Sequence, residues 1–420
     1  MTEIEKRLSF FSDIGYGLFI HFGLYAIPGG IWKGKRAPHG SEWMMRNLEI
    51  PLAEYSRLAE EFDPKDLDPY FYVRKAKEWG MKYLVLTAKH HDGFCLYDTA
   101  VSDYSVMHTP YGKDIVRAFA DACREEGMPF GIYYSQMQDW AHPDADGNNF
   151  DFKKEEKVFS RYFYEKALPQ VKELLTNYGD VFLMWFDTPY DMPKELCLEL
   201  TEAVHAIQPG CLVNGRVGYG YGDYRQMADN SIPVLSYRTA WEVPMTLNSS
   251  WGYHKADLTC SSPETVIRKL TEVRGKGGNV LLNVSPDGRG VISEESVKAL
   301  DAVGAWLKEN GDAIYNTVPA PDFPYTVSWG TVAAGKDNTL YLIVLKYPDF
   351  PYRVSLKCLE NKVLRASLLR DGTELRFAQS YELARDERRL YVFLPEQKPD
   401  EIVTVIKLEL DGAPSAQILR

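Results

Sequence analysis

The sequence predicts an α/β protein: an irregular (β/α)8 TIM-like barrel followed by a C-terminal antiparallel β-sandwich. Three observations favour this fold class. Apolar segments of strand length alternate with amphipathic segments of helix length as far as about residue 310. No glycine-rich phosphate loop follows any predicted strand, which argues against an open doubly wound sheet. Beyond Thr317 the apolar residues recur at every second position, as in half-buried antiparallel strands.

The segment from Val181 to Asp187 is the clearest barrel strand. It is an uninterrupted apolar run that stops at a carboxylate, as expected for a parallel strand covered on both faces. Because side chains alternate along a strand, Trp185 and Asp187 share one face. Catalytic groups of parallel barrels lie at the C-terminal ends of the strands, so Asp187 is a candidate. The plainer alternative is that Asp187 only caps the following loop.

Six other segments have the length and composition of barrel strands, and helical segments separate them. The predicted strands span residues 17–23, 83–89, 129–135, 211–216, 234–242 and 279–285. The predicted helices span residues 51–62, 69–79, 113–126, 153–178, 193–207, 262–276 and 294–310. This alternation predicts that the C-terminal ends of the strands gather at one end of the barrel.

Two domains are expected. The barrel is predicted to occupy residues 1–317 and the β-sandwich residues 325–420, with a proline-rich linker between them. The sandwich strands are predicted at residues 339–346, 352–357, 364–369, 389–394 and 402–410. This second domain has no cluster of catalytic residue types, so packing against the barrel is its expected role, with a carbohydrate-binding face as the alternative.

Composition restricts the partners. The chain has 420 residues, a formal net charge of -11 and a sequence pI of about 5.4, which disfavours nucleic acid and anionic membranes as partners. A neutral substrate fits better. The sequence shows no signal-peptide core and no apolar run of membrane-spanning length. A cytoplasmic location is therefore expected, or a secreted or periplasmic one if a leader has been removed, and a homo-oligomer is compatible with the sequence.

The sequence gives little support for a metal site or for a serine or cysteine nucleophile. The six cysteines are scattered without paired spacing, which indicates neither a zinc site nor a disulfide framework. His90 and His91 are adjacent, and neighbouring residues of a strand point to opposite faces. The chain has no serine elbow motif. No metal and no cofactor are expected, and carboxylates remain as the reactive groups.

Several polar and aromatic residues lie at or near predicted strand ends, and together they are typical of sugar binding. Aromatic rings pack on the apolar C–H face of a pyranose, while histidine, arginine, glutamate and indole N–H groups bind its hydroxyls. Taken singly, each residue has an ordinary structural role, for example as a core histidine or tryptophan. The residues are His21, Glu42, Trp43, His90, His91, Tyr134, Trp185, Asp187, Arg216 and Glu242.

Seven segments resemble the α-L-fucosidases of glycoside hydrolase family 29, over about residues 10–317. They are Gly17 to Tyr25, Ser41 to Trp43, Tyr83 to Phe94, Met184 to Asp187, Trp241 to Glu242, Ser250 to Tyr253 and Gly277 to Val284. The resemblance implies a retaining exo-glycosidase with an irregular barrel and a C-terminal β-sandwich. It also implies a fucosylated oligosaccharide or glycoconjugate as substrate.

The resemblance assigns roles to individual residues. Asp187 matches the nucleophile, and Trp251 matches the aromatic residue that packs on the fucose methyl group. The residues that match the binders of the fucose hydroxyls are His21, Glu42, Trp43, His90, His91, Tyr134 and Arg216. The expected reaction is hydrolysis of terminal α-L-fucosides through a covalent glycosyl-enzyme on Asp187.

The acid/base residue is the part that the resemblance leaves open. Asp229, in the loop after Arg216, and Glu242, which follows Trp241, are both candidates. Asp229 is preferred, and Glu242 is expected instead to bind a hydroxyl or to support another site residue. Thr188 and Pro189 depart from the commoner family pattern, so the resemblance does not define how the leaving group is bound. Two functional alternatives remain: the same mechanism on a related sugar such as an α-L-galactoside, and a non-catalytic fucose-binding protein.

Overall fold

The computed structural model describes residues 1–418. Helices α1–α7 span Glu3–Ile14, Pro69–Glu78, Ile115–Glu126, Leu168–Asn177, Lys194–Ile207, Pro263–Gly275 and Glu294–Asn310. Shorter α-helical turns occupy Met44–Asn47, Leu52–Tyr55 and Phe159–Tyr162, and Ile31–Trp32 pairs with Lys35–Arg36 in a small hairpin. Among the described residues, no helix is long and apolar enough to cross a membrane.

Eight parallel strands form one curled sheet. Strands β1–β8 span Tyr16–Ile20, Leu84–Lys89, Phe130–Tyr134, Leu183–Phe186, Leu212–Val213, Arg225–Gln226, Trp241–Thr246 and Asn279–Val284. Their order across the sheet is β5-β4-β3-β2-β1-β8-β7-β6. The edge strands approach each other through an isolated parallel bridge between Asn214 and Tyr224. All eight C-terminal ends therefore point the same way, as predicted.

Helix α1 lies at the opposite, N-terminal end of the sheet and is absent from the sequence prediction. Thr2 and Glu5 form a reciprocal capping box that stabilises its first turn. Phe11 and Ile14 belong to the same buried cluster as inward-facing sheet residues such as Leu183. The helix thus fills the end of the sheet opposite the C-terminal ends of the strands.

The predicted strand at residues 234–242 is wrong. The strand found there, β7, begins only at Trp241, while Val234 and Leu235 are 89% and 77% exposed. The apolar run gave a strand signal, but its residues have no partner strand in the structure. As a result Glu242 is the second residue of β7 rather than a residue at its C-terminal end.

The predicted long helix at residues 153–178 is interrupted. A π-helical turn at Phe163–Ala167 separates the α-turn Phe159–Tyr162 from α4. Pro169 lies in the first turn of α4, and because proline has no backbone N–H it cannot complete an α-helical hydrogen bond to the preceding turn. The irregular turn directs Lys166 toward the buried Asp139, at 2.8 Å.

Two antiparallel sheets make up the C-terminal region. Strands β9–β16 span Thr317–Val318, Gly330–Gly335, Thr339–Val344, Arg353–Lys357, Val363–Leu368, Phe377–Glu382, Glu387–Phe393 and Thr404–Leu410. The five-stranded sheet has the order β9-β10-β11-β16-β13, and the three-stranded sheet β12-β15-β14. The prediction missed β9, β10 and β14. The two sheets share one apolar core.

The five-stranded sheet also packs on α6 and α7. Tyr341, Ile343 and Val405 join the same buried cluster as residues of these helices. Trp306 of α7 donates its indole N–H to the carbonyl of Val403 at 2.8 Å. The C-terminal region is therefore attached to the outside of the parallel sheet, away from the C-terminal ends of β1–β8.

Candidate active site

A pocket opens at the C-terminal ends of the parallel strands. It is lined by Phe19, His21, Glu42, Trp43, His90, Trp185, Asp187, Thr188, Tyr190, Arg216, Asp229 and Trp251. Nine of these are residues that the sequence singles out. Three others that the sequence names, His91, Tyr134 and Glu242, do not line the pocket.

Asp187 follows β4 directly and lies in the pocket wall. Its carboxylate accepts hydrogen bonds from Arg216 Nη1 at 2.7 Å and from the Tyr133 hydroxyl at 3.0 Å. Burial raises the pKa of Asp187, but the charge of Arg216 and these hydrogen bonds outweigh burial and hold the pKa below its usual value. The side chain is therefore an anion at neutral pH, the form in which a carboxylate acts as a nucleophile.

Arg216 connects Asp187 to Asp229. Its Nη1 donates to Asp187, and its Nη2 donates to a carboxylate oxygen of Asp229. The guanidinium carbon lies 4.9 Å from the centre of the Trp185 ring, so the arginine rests on the pocket floor. One planar group thus fixes two carboxylates in the same pocket, with the Asp229 side chain 44% exposed at the mouth.

Gln136 is a residue of this centre that the sequence analysis missed. Its side-chain carbonyl accepts the backbone N–H of Asp187 at 2.8 Å, and its amide donates to the carbonyl of Arg216 at 3.0 Å. Gln136 therefore links the backbone of Asp187 to the backbone of Arg216 through its side chain. The sequence signal that could have identified Gln136 is its position immediately after the predicted strand at residues 129–135.

The hydrogen bonds around His21 define its tautomer. Asn283 donates its amide to the carbonyl of Trp251 at 2.7 Å, so its side-chain oxygen faces His21 Nδ1, also at 2.7 Å. His21 Nδ1 must then be the donor. Burial lowers the pKa of His21 to about 4, and the neutral ring leaves Nε2 free to accept a ligand hydroxyl.

His90 and His91 lie next to each other after β2, with ring centres 4.2 Å apart. His90 lines the pocket and stacks on Tyr133 at an interplanar angle of 10°. His91 lies behind the pocket wall, where its Nε2 is 3.5 Å from Asp187 Oδ2 and its Nδ1 is 2.7 Å from the Ser135 hydroxyl. The structure thus places His91 against Asp187, although the sequence names it as a hydroxyl binder.

Glu42 lines the pocket from the loop after β1. It is buried and accepts hydrogen bonds from the N–H of Gly252 at 2.8 Å and from the Ser250 hydroxyl. Burial raises the pKa of Glu42 to about 7. Near neutral pH this carboxyl can therefore either donate or accept a hydrogen bond to a ligand hydroxyl.

The structure corrects the prediction for Tyr134. Its hydroxyl donates to Gln170 Oε1 at 2.8 Å, on the outer face of the sheet under α4. Tyr133 is the tyrosine that points inward, and it binds Asp187. Side chains alternate along β3, so an error of one residue in the predicted orientation selects the wrong face.

The structure argues against Glu242 as the acid/base and agrees with its expected role as a support for another site residue. The side chain is fully buried inside the curled sheet, where it accepts hydrogen bonds from the Tyr83 hydroxyl and, at 2.9 Å, from the indole N–H of Trp185. Trp185 lies in the pocket floor and Glu242 does not reach the pocket. The reason is its place near the start of β7, whereas pocket residues follow the C-terminal ends of the strands.

Glu242 should give the folded protein a distinct pH dependence. Burial raises the pKa of Glu242 from 4.5 to about 7, so between these values the folded state holds a proton that the unfolded state has released. This contribution to stability falls as the pH rises through that window. Glu242→Gln removes the titration, so we expect its Tm relative to wild type to be higher at pH 8 than at pH 5. A difference that stays constant with pH would contradict this account of Glu242.

Within residues 1–418 there is no group of three or more histidine, cysteine, aspartate or glutamate side chains arranged to hold a metal ion. The functional groups that line the pocket are carboxylates, histidines, an arginine and aromatic rings. Carboxylates beside aromatic walls, at the C-terminal ends of a curled parallel sheet, are the features of a glycoside hydrolase.

Comparisons with known proteins identify the family within this class. The chain belongs to the alpha-L-fucosidase family, whose model matches residues 2–312. Tissue alpha-L-fucosidase of Bos taurus is 26% identical over 420 residues, covering 94% of this chain and 86% of the bovine protein. Alpha-L-fucosidase isoenzyme 1 of Paenibacillus thiaminolyticus is 35% identical, with a TM-score of 0.87, covering 98% of this chain and 100% of that one.

A third comparison bears on the mechanism. A glycoside hydrolase family 29 alpha-L-fucosidase from Bacteroides thetaiotaomicron was solved as a trapped covalent intermediate in complex with 2-fluoro-fucosyl fluoride. It is 29% identical to this chain, with a TM-score of 0.87, and the alignment covers 96% of each chain. The family to which this chain belongs thus includes a member that forms a covalent intermediate.

Proposed function

We propose that the protein hydrolyses terminal α-L-fucosides of glycans or glycosides with retention of configuration. Asp187 attacks the anomeric carbon to form a glycosyl-enzyme, and Asp229 protonates the leaving oxygen and then activates the water. The observation that carries this proposal is the joint binding of Asp187 and Asp229 by Arg216 in one pocket. The fold agrees with it, since we interpret the curled sheet as an irregular (β/α)8 barrel and the C-terminal sheets as a β-sandwich.

The joint binding of the two carboxylates by Arg216 supports retention. Retaining pairs lie roughly 5 to 5.5 Å apart, whereas inverting pairs lie roughly 6.5 to 9.5 Å apart to leave room for a water. Two carboxylates that bind adjacent nitrogens of one guanidinium favour the shorter separation. The covalent intermediate trapped in the Bacteroides thetaiotaomicron relative points the same way.

The remaining pocket residues suit a deoxy sugar. His21, Glu42 and His90 offer hydrogen-bonding groups for hydroxyls, while Phe19 and Trp251 provide an apolar wall. Their ring centres are 6.0 Å apart. A pocket that combines hydrogen-bonding groups with aromatic rings matches fucose, which carries hydroxyls and a 5-methyl group.

The stereochemistry of the first product tests this proposal. With 4-nitrophenyl α-L-fucoside as substrate, proton NMR during the first turnovers should show α-L-fucose before mutarotation produces the β-anomer. Appearance of β-L-fucose first would overturn retention. Failure of the wild-type protein to hydrolyse any aryl α-L-fucoside would overturn the activity itself.

We expect Trp251 to set the preference for fucose over galactose. Its ring lines the pocket, 5.1 Å from that of His21. In the proposed binding mode, Trp251→Ala removes the apolar contact for the methyl group. The ratio of kcat/KM for the 4-nitrophenyl α-L-fucoside over the α-L-galactoside should fall by roughly 5- to 150-fold, the effect of about 1 to 3 kcal/mol. Trp251→Phe should keep most of the preference. An unchanged ratio in Trp251→Ala would place the methyl contact elsewhere.

A further inference from the structure

Two of the three residues after Asp187 have an unusual backbone conformation. Thr188 and Tyr190 have φ angles of 44° and 25°, a region that residues with a Cβ atom rarely adopt. Backbone conformations of this kind cost free energy and persist where the surroundings enforce them, often at functional sites. The segment therefore has a defined shape.

Contacts on both sides of the segment enforce that shape. Gln138 donates its side-chain amide to the Thr188 hydroxyl at 2.8 Å, and Thr188 N–H donates to Asp187 Oδ1 at 2.9 Å. The N–H of Met192 donates to the carbonyl of Pro189 at 2.7 Å, which closes a turn around Tyr190. The backbone that carries Tyr190 is thus held by hydrogen bonds in a turn that directly follows Asp187.

Tyr190 lies where the pocket opens to solvent. It lines the pocket together with Asp229, yet it is 60% exposed. The other aromatic residues of the wall, among them Trp185 and Trp251, are buried or half-buried. Tyr190 and the proposed acid thus share the solvent-exposed part of the pocket. A leaving group must occupy this part, because the acid has to reach the oxygen of the bond that breaks.

We propose that Tyr190 is the platform for the group attached to fucose, binding the apolar face of a pyranose or aryl ring. This inference rests on the proposed function and names the class of leaving group that the pocket mouth selects. An aromatic ring on a backbone that is fixed before binding contributes contact area at a reduced cost in conformational entropy. Leaving groups without a flat apolar face gain nothing from it.

The test compares two substrates that differ only in the leaving group: a fucosyl-N-acetylglucosamine disaccharide and α-L-fucosyl fluoride. Tyr190→Ala should lower kcat/KM on the disaccharide about tenfold, which is about 1.4 kcal/mol, and change kcat/KM on the fluoride less than about twofold. Tyr190→Phe should behave as wild type on both substrates, because stacking uses the ring and not the hydroxyl.

Tyr219 is a matched control. It is also 60% exposed and has a φ angle of 50°, but it does not line the pocket. Tyr219→Ala should leave both substrates within about twofold of wild type. Equal losses on both substrates in Tyr190→Ala, or a disaccharide rate that is unchanged, would overturn the platform. A wild-type protein that hydrolyses neither substrate would instead overturn the proposed function.

Discussion

Asp187→Ala is expected to lower kcat for α-L-fucoside hydrolysis by three or more orders of magnitude, about 4 kcal/mol of barrier at 1.36 kcal/mol per decade. The carboxylate ends β4, is held as an anion by Arg216 and Tyr133, and lies in the pocket wall. In the proposed mechanism no glycosyl-enzyme can form without this carboxylate. Steady-state kinetics on 4-nitrophenyl α-L-fucoside measure the loss.

Chemical rescue separates a lost nucleophile from a damaged fold. In Asp187→Gly, added azide can enter the vacated space and attack the anomeric carbon directly, which inverts the centre and should give β-L-fucosyl azide. In the wild-type protein, digestion after treatment with 2-fluoro-fucosyl fluoride should locate the label on the peptide that contains Asp187. Activity of Asp187→Ala within tenfold of wild type would refute the assignment.

Asp229→Ala should show an effect that depends on the leaving group. General acid catalysis contributes roughly 10²- to 10⁴-fold, so hydrolysis of a fucosylated disaccharide should fall by about that factor. Formation of the glycosyl-enzyme from 2,4-dinitrophenyl fucoside should stay within about tenfold of wild type, because that leaving group needs little protonation. Azide should then react with the glycosyl-enzyme to give the α-azide.

Two further variants test whether the carboxyl group of Asp229 acts as an acid. Asp229→Asn keeps a side-chain oxygen for Arg216 but cannot transfer a proton, so it should resemble Asp229→Ala on the disaccharide. Recovery of disaccharide hydrolysis by the asparagine would mean that Asp229 only positions Arg216. Glu242→Gln should retain hydrolysis of the disaccharide; if it showed the leaving-group pattern instead, with Asp229→Ala nearly normal, the assignment would be reversed.

Strand ends could be predicted well where a buried apolar run stops at a polar residue. Asp187 and His90 are such cases, and both line the pocket. Glu242 was wrongly placed at a strand end because the apolar but exposed Val234 and Leu235 resemble the start of a strand. The predicted end therefore falls several residues before the end of β7. Strand β6, at Arg225–Gln226, is too short to leave a periodic signal.

The orientation of individual side chains could not be predicted from the sequence either. Tyr133 and Tyr134 are adjacent and chemically identical, and only the register of β3 decides which one reaches Asp187. Gln136 and Asn283 act through backbone groups and through the orientation of an amide, which residue type alone does not reveal. The position of helix α1 could not be predicted from neighbouring sequence, because the residues it packs against are distributed over the strands of the sheet.

The contact between His21 and Asn283 joins residues 262 positions apart. A ribosome that adds about 5 to 20 residues per second delivers the second roughly 13 to 52 s after the first. Until Asn283 has been made, β1 can pair with β2 but not with β8. His21 then lacks the side chain that fixes the tautomer of its imidazole ring. A nascent chain should therefore be unable to bind fucose until its last parallel strand has emerged, however early Asp187 and Arg216 are made. Ligand-dependent protection from proteolysis on stalled ribosomes should appear only once that strand has left the exit tunnel.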